Sequence, residues 1–269
     1  MNRFSHLILC GLISGTLVVL IGCRSTPLTP RVEYDDVITH AGTIVDLAGG
    51  NYEGFFPVTN LVRYGDHGLG TFHSLDGEMI VYSGKVFRAD SKGTLSLAEK
   101  DRATPFAVVT YFNADRIFDI ENVDQKRFQR ALEMRSRTPH LPQAIQVHGD
   151  FDSILIRSVP AQDKPWQPLN KVLERDEKRM MLTNVAGVLV GYHYPDVFGA
   201  IHPPGYHFHF VSEDRMTGGH VHDFKIKTGR ISIDYTPGIQ VLLSTNPPVV
   251  LPRRAGPRPV PPPASSSTQ

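Results

Sequence analysis

A strict alternation marks the segment Gly205-Tyr206-His207-Phe208-His209-Phe210, in which every second residue is aromatic. Side chains of a β-strand point alternately to its two faces, so His207 and His209 share one face of the predicted strand. A turn-like segment, 212–219, follows it and leads to His220. If the two strands pair in antiparallel fashion, His220 comes close to the face that carries the other two histidines.

Three neutral imidazoles that converge from two strands are a donor set for Zn²⁺ or a similar ion, and they leave coordination positions for water or substrate. A His-x-His pair can also be a polar face exposed to solvent, but the third histidine favours a metal site. Six of the twelve histidines lie within 193–222. Of the others there, His222 could contact a metal ligand or lie at the surface. His193 and His202 are predicted to be loop residues.

Two charged residues stand beside apolar strand patterns. Arg157, in Ile154-Leu155-Ile156-Arg157, shares a predicted strand face with Leu155 and Val159. Such an arginine is either paired with an anion or extends from an edge strand to solvent, and the pattern leaves both open. Glu78 directly precedes an apolar strand, and the local sequence alone predicts a turn carboxylate.

Strand patterns dominate the rest of the chain, so the predicted class is strand-dominated α+β. Ser83-Gly84 separates two short strands, 79–82 and 85–88, in a hairpin pattern. The clearest helix is 124–135, with Phe128, Ala131 and Leu132 on one face. The other predicted strands are 106–112, 153–159, 187–192, 207–211, 220–224 and 230–234.

Composition excludes nucleic-acid binding through a strongly basic surface. The chain has 269 residues and a formal net charge of +1, from 28 Lys and Arg against 27 Asp and Glu. This balance offers no polycation for nucleic acid. With 41% hydrophobic and 20% charged residues, the chain is typical of a folded globular protein.

The N-terminus resembles a bacterial lipoprotein signal peptide, predicted to span 1–22. Arg3 precedes an apolar run, 7–21, and Leu20-Ile21-Gly22-Cys23 has the form of a lipobox. We therefore expect lipidation of Cys23 and export to a bacterial membrane, on its periplasmic or cell-surface side. An ordinary membrane anchor or a cleaved soluble signal is the alternative. Cleavage also removes Cys10, so any metal in the folded part must be held by histidines and carboxylates.

The remaining boundaries follow from composition. Residues 23–33 are predicted to be a linker from the lipid, and 34–245 to be the globular domain. The segment 246–269 is rich in proline and ends in small polar residues, so we expect a disordered tail.

Several motifs in order along the chain, from Thr43 to about Asp234, resemble the alpha-acetolactate decarboxylase family. They are Gly65-Asp66-His67-Gly68-Leu69-Gly70-Thr71-Phe72, Leu75-Asp76-Gly77-Glu78, Thr104-Pro105-Phe106-Ala107-Val108-Val109-Thr110, Arg157-Ser158-Val159-Pro160, the histidine segment 205–210, and Gly218-Gly219-His220-Val221.

The resemblance implies that His207, His209 and His220 bind Zn²⁺ and that Glu78 and Arg157 extend into the same pocket. It implies two α/β subdomains, each built on a mixed β-sheet, with the metal site between them, and a homodimer. The implied reaction is decarboxylation of (S)-2-acetolactate to (R)-acetoin and CO₂. It requires no organic cofactor. The Gly-rich segment 65–70 also lacks the strand–helix context of a nucleotide site.

The chain departs from the family near its C-terminus, where the resemblance implies another active-site glutamate. No Asp or Glu follows Asp234. Either another group substitutes for it, such as His222 or Glu213, or the activity is altered or lost. The segment 174–178 is also more charged than the resemblance implies.

Two other functions remain open from the sequence. The chain could be a non-catalytic lipoprotein that kept the decarboxylase fold and binds a metal or a small ligand. It could also be a cupin-like oxygenase, since a His-x-His pair with a later histidine occurs there too; that function predicts dependence on iron and oxygen.

Overall fold

A computed structural model describes residues 36–136 and 138–245, which contain fourteen β-strands and four α-helices. The predicted signal peptide, the lipidation site Cys23, the linker and the Pro-rich tail lie outside the described residues. Within the described ranges, each helix is too short or too polar to cross a lipid bilayer.

The first sheet has seven strands in the order β14-β1-β8-β3-β4-β5-β6. Strands β1 and β14 pair in parallel and the other neighbours are antiparallel, so this sheet is mixed. Its strands are β1 (Val37–Ala41), β3 (His67–Thr71), β4 (Glu78–Tyr82), β5 (Lys85–Ala89), β6 (Leu95–Leu97), β8 (Ala107–Thr110) and β14 (Gly238–Leu242).

The predicted hairpin is confirmed as β4 and β5. Its two turn residues both have positive φ, 51° at Ser83 and 69° at Gly84, which suits a two-residue hairpin turn. The local sequence predicted that Glu78 is a turn residue, and this prediction was wrong. Glu78 is the first residue of β4 and is buried, because its backbone pairs with β5 on one side and β3 on the other.

The second sheet has five strands, and all its pairings are antiparallel. Strand β10 pairs with both β11 and β13, and β12 joins β11 to the start of β13, so four of the strands close on one another. The strands are β9 (Arg116–Asp124), β10 (Gln143–Ser158), β11 (Lys178–Tyr194), β12 (Gly205–Ser212) and β13 (Gly218–Tyr235).

These strands are longer than the sequence patterns predicted. The segments 220–224 and 230–234, predicted as separate strands, belong to the single strand β13. His193 lies on β11, so its prediction as a loop residue was wrong. Strands β10 and β13 are longer than predicted because each pairs with neighbouring strands on both sides. This pairing keeps polar stretches extended that have no alternating pattern of their own.

Helix α3 (Gln125–Arg135) covers one side of the second sheet. Asp124 caps it, since its carboxylate accepts a hydrogen bond from the amide of Arg127 at 2.7 Å. Phe128 and Leu132 are buried, as the predicted apolar face requires. The ring of Phe128 makes edge contacts with the aromatic face of β12, through Phe208, and with Phe224 of β13.

The histidine face of β12 points to the other side, toward the first sheet. A buried apolar layer joins the two sheets there, with Ile80 and Phe87 of the first sheet against Val190 and Val211 of the second. The strand-dominated α+β class is therefore confirmed, with two sheets and the histidines between them. The remaining elements are α1 (Ile44–Ala48), α2 (Val58–Leu61), α4 (Leu169–Asp176) and the small sheet of β2 (Phe56–Pro57) and β7 (Ala103–Thr104).

Candidate metal centre and active site

The three predicted metal ligands come together on neighbouring strands. His207 and His209 project from β12, and His220 is the direct antiparallel partner of His209 on β13. Their ring centroids are 4.8–5.3 Å apart. One ring nitrogen from each lies within 4.8 Å of the others, so the set could hold one metal ion.

Two glycines bring His220 to this place. A Cβ on Gly218 would lie 2.6 Å from the carbonyl oxygen of Phe210, and a Cβ on Gly219 would lie 2.8 Å from that of Arg157. Strand β13 can therefore approach β12 and β10 together only because neither residue has a side chain. Arg157, on β10, is then the direct partner of His220.

Neighbouring acceptors orient the imidazoles. The Nδ1–H of His209 donates to the carbonyl of Met79 in the first sheet at 2.8 Å, which leaves Nε2 free to bind a metal. His202 donates through Nδ1 to its neighbour's carbonyl, at Pro203, 3.0 Å away. Its bare Nε2 then accepts from the Nδ1–H of His207 at 3.3 Å. The Nε2 of His207 is left facing Nδ1 of His220, 3.1 Å away.

This donor set fits a metal ion. Two nitrogens that bind one tetrahedral Zn²⁺ at about 2.0–2.1 Å are separated by about 3.3 Å. The 3.1 Å between the facing nitrogens of His207 and His220 is close to that separation. Burial lowers the pKa of His209 to about 3 and holds the pKa values of His207 and His220 well below the usual value. All three rings are therefore neutral near pH 7, as metal ligands must be.

Arg157 is paired, which answers the question that its sequence pattern left open. Its Nη1 donates to Glu78 Oε1, and Glu78 Oε2 lies 3.5 Å from His209 Nε2. The two predicted catalytic residues thus meet beside the histidines, one from each sheet. Burial raises the pKa of Glu78, against the opposing effect of the Arg157 charge, and the nearby carboxylate of Glu177 raises it further.

Two residues of the site were missed from the sequence. His202 is in a loop, as predicted, but it is fully buried, stacks on Tyr194 and contacts His207. Glu177 directly precedes β11, and its carboxylate lies 3.6 Å from Arg157 Nε and 3.2 Å from His222 Nε2. Neither residue lies in a periodic pattern. The only available signal for Glu177 was the unusual charge of the segment 174–178.

The two residues predicted to substitute for the missing C-terminal glutamate, His222 and Glu213, take different positions. The ring of His222 is 5.7 Å from that of His220 and contacts Glu177, so it reaches the edge of the site. Glu213 is exposed, and it lines a surface depression with Arg215, Asp119 and Arg230. The structure therefore does not bring Glu213 to the histidines.

Comparison with known proteins gives a consistent result. The model of the alpha-acetolactate decarboxylase family matches residues 38–248. The alpha-acetolactate decarboxylase of Methylococcus capsulatus is 37% identical over 208 residues, which are 77% of this chain and 80% of that protein. That of Methanosarcina mazei is 36% identical over 202 residues, which are 75% and 70% of the two chains. The crystal structure of the Bacillus subtilis strain 168 enzyme superposes with a TM-score of 0.77 at 29% identity, covering 80% of this chain and 94% of the other.

Proposed function

Because this chain belongs to the alpha-acetolactate decarboxylase family and is a decarboxylase, a carbon–carbon lyase, we propose that it converts (S)-2-acetolactate to (R)-acetoin and CO₂ with Zn²⁺. Its place in metabolism would be acetoin formation. One observation carries the proposal: His207, His209 and His220 converge between the sheets, with Arg157 and Glu78 in contact beside them.

The substrate sets the chemical requirements. Acetolactate has a carboxylate and a hydroxyl on the carbon next to a ketone. When CO₂ leaves, the electron pair of the broken C–C bond moves toward the ketone oxygen and forms an enediolate. A proton must then reach the carbon that lost CO₂. The site therefore needs a group that binds the anion, a group that delivers the proton, and exclusion of water.

The bound metal ion would supply a Lewis acid for the charge that develops on oxygen. The planar guanidinium of Arg157 has five N–H donors and binds the substrate carboxylate or the developing oxyanion. Its side chain is only 12% exposed, so its charge acts with little screening by water.

Glu78 is suited to the proton transfer. Burial raises the pKa of its carboxyl group, which favours the protonated form that a proton donor needs. Its Oε2 lies 3.5 Å from the ring of His209, so it reaches the place where the substrate would meet the ligands. We therefore assign Glu78 the delivery of the proton to the new carbon centre.

The direct test is turnover by the purified mature domain. Acetolactate is added to protein loaded with Zn²⁺, and CO₂ release and the optical rotation of acetoin are followed. The expected result is rapid formation of one enantiomer. Acetoin formed only at the spontaneous rate by fully loaded protein would overturn the assignment and favour a metal-binding protein without activity.

The metal identity has its own test. Three histidines without cysteine bind Zn²⁺, and they also bind iron and other divalent ions. Elemental analysis of protein purified without added metal should find zinc near one ion per chain. Iron at that level, with activity that requires oxygen, would instead favour the oxygenase.

Export and assembly complete the proposal. We propose that lipidated Cys23 tethers the mature protein to a bacterial membrane on its periplasmic or cell-surface side, and that the domain 34–245 forms a homodimer. Cys23→Ser should block lipid attachment and the cleavage before residue 23, so mass spectrometry of the variant should find the uncut segment 1–22 and no lipid. Light scattering of the mature domain should give twice the chain mass, and a monomer would remove the dimer from the proposal.

A further inference from the structure

Glu177 is held inside the site by its position between two elements. Helix α4 ends at Asp176, and β11 begins with Lys178, the antiparallel partner of Ser158 on β10. The carboxylate is therefore placed beside the end of β10, where Arg157 lies, and its side chain is only 9% exposed. A buried carboxylate is costly unless cations or hydrogen-bond donors surround it.

Three cationic or donor groups surround this carboxylate. Arg179 Nε donates to Oε1, and Nε2 of His222 lies 3.2 Å from the same oxygen. Oε2 faces Arg157 Nε at 3.6 Å. This Nε is buried and makes no hydrogen bond to the described residues, so Glu177 is the group that neutralises this edge of the guanidinium.

Arg157 therefore lies between two carboxylates. Glu78, from the first sheet, faces the Nη1 edge, and Glu177, directly before β11, faces the Nε edge. A planar guanidinium held on two edges keeps one orientation. A neutral residue at 177 would remove the negative charge that faces Arg157 and Arg179, and would make the cluster more positive by one unit.

We propose that Glu177 is a positioning residue for Arg157. It holds the Nε edge so that the remaining N–H groups face the carboxylate of a 2-hydroxy-3-keto acid. This inference rests on the proposed function.

The first experiment replaces the carboxylate by its neutral isostere, Glu177→Gln. The excess positive charge should keep the substrate anion bound, so KM should stay within about threefold. Without the carboxylate at 177, the guanidinium of Arg157 should change its orientation. The value of kcat should then fall about 10–100-fold, because small misplacements of a catalytic group are costly. Zinc content should stay near wild type, and the thermal midpoint should fall, because the buried guanidinium keeps one carboxylate partner instead of two. The matched control is Glu174→Gln, which removes an exposed carboxylate, paired with Lys171, from the preceding helix.

A second experiment tests whether the effect passes through Arg157. Arg157→Lys keeps the buried charge but removes the guanidinium edge that Glu177 faces. In that background, Glu177→Gln should change kcat less than twofold, so the double mutant should be no slower than Arg157→Lys alone. Equal losses in both backgrounds would overturn the inference, because Glu177 would then act independently.

The remaining outcomes are also decisive. Unchanged kcat in Glu177→Gln, with wild type active, overturns the positioning role and leaves the proposed function intact. An inactive, zinc-loaded wild type instead contradicts the proposed function. If Glu177→Gln does not fold, Glu177→Asp keeps the charge on a shorter side chain. Its kcat should lie between those of wild type and Arg157→Lys at unchanged zinc affinity, and a wild-type kcat there would count against the proposal.

Discussion

Hydrogen bonds made by the imidazole rings decide which nitrogen His207 and His209 can offer to a metal. His209 is oriented by the backbone carbonyl of Met79, and His207 by the ring of His202. His202 is in turn fixed by the carbonyl of Pro203 and by stacking on Tyr194. Such outer contacts set ring orientation and ligand basicity, so they contribute to metal affinity.

His202→Phe should weaken zinc binding about 10–100-fold, because it keeps the stacked ring but removes the acceptor for His207 Nδ1–H. Competition with a chromophoric chelator measures the dissociation constant. His140→Gln, at an exposed position, is the control and should bind zinc like wild type. An unaltered dissociation constant in folded His202→Phe would mean that His207 needs no acceptor.

Arg157→Ala should lower the rate about 10²–10³-fold if Arg157 stabilises the charge of the reacting molecule. It should also destabilise the fold, because Glu78 and Glu177 are left buried without their shared cation. Steady-state kinetics at a temperature where the variant is folded separates the two effects. A rate equal to that of wild type would remove Arg157 from the mechanism.

The pairing of strand β13 with its neighbours places His220 in the site. The strand pairs with β12 at its start and with β10 and β9 further along. The close approaches at Gly218 and Gly219 are to Phe210 of β12 and to Arg157 of β10. The absence of side chains at these positions lets His220 reach both His209 and Arg157.

Gly219→Ala should cost about 1–3 kcal/mol of unfolding free energy, since its new Cβ must displace backbone rather than a flexible side chain. Its nearest contact would be the carbonyl of Arg157 at 2.8 Å. Zinc affinity should fall as well, because His220 moves with the strand. Urea unfolding and zinc titration test both effects. Gly229→Ala on the same strand is the control, since its nearest contact is a side-chain methyl of Ile226 at 3.1 Å.

A buried carboxylate links the stability of the whole molecule to pH. Asp234 is almost fully buried near the end of β13, and one of its oxygens accepts from the amide of Asn113 at 3.0 Å. Burial raises its pKa from 3.8 to about 7, helped by the charges of Asp115, Asp36 and Asp66 and opposed by the hydrogen bond from Asn113. The folded state therefore binds this proton more tightly than the unfolded state does.

The sign of the effect follows from linkage. The stabilisation by the Asp234 proton is complete below about pH 4 and is lost as the pH rises through about 7. A shift of this size corresponds to about 3–5 kcal/mol. Asp234→Asn keeps the acceptor but cannot ionise, so it should be similar in stability to wild type below about pH 4 and more stable than wild type at about pH 8. Urea midpoints at the two pH values test this. Asp119→Asn, an exposed change, is the control, and parallel profiles for wild type and Asp234→Asn would contradict the raised pKa.

Short patterns in the sequence determined a large part of the local structure of this protein. The period of two in 205–210 placed His207 and His209 on one face, and a short turn with two glycines placed His220 opposite them. The hairpin at Ser83-Gly84 and the buried face of α3 followed from equally short patterns. These features depend on residues close in sequence, so periodicity and turn chemistry predicted them.

Only the tertiary structure decided the partners of the site. Glu78 and Arg157 are 79 positions apart, and they meet because the two sheets pack face to face. Glu177 and His202 reach the same place from a helix end and a loop. No local pattern marks a residue whose role is to face a distant charge, because that role exists only after long-range packing removes the group from water.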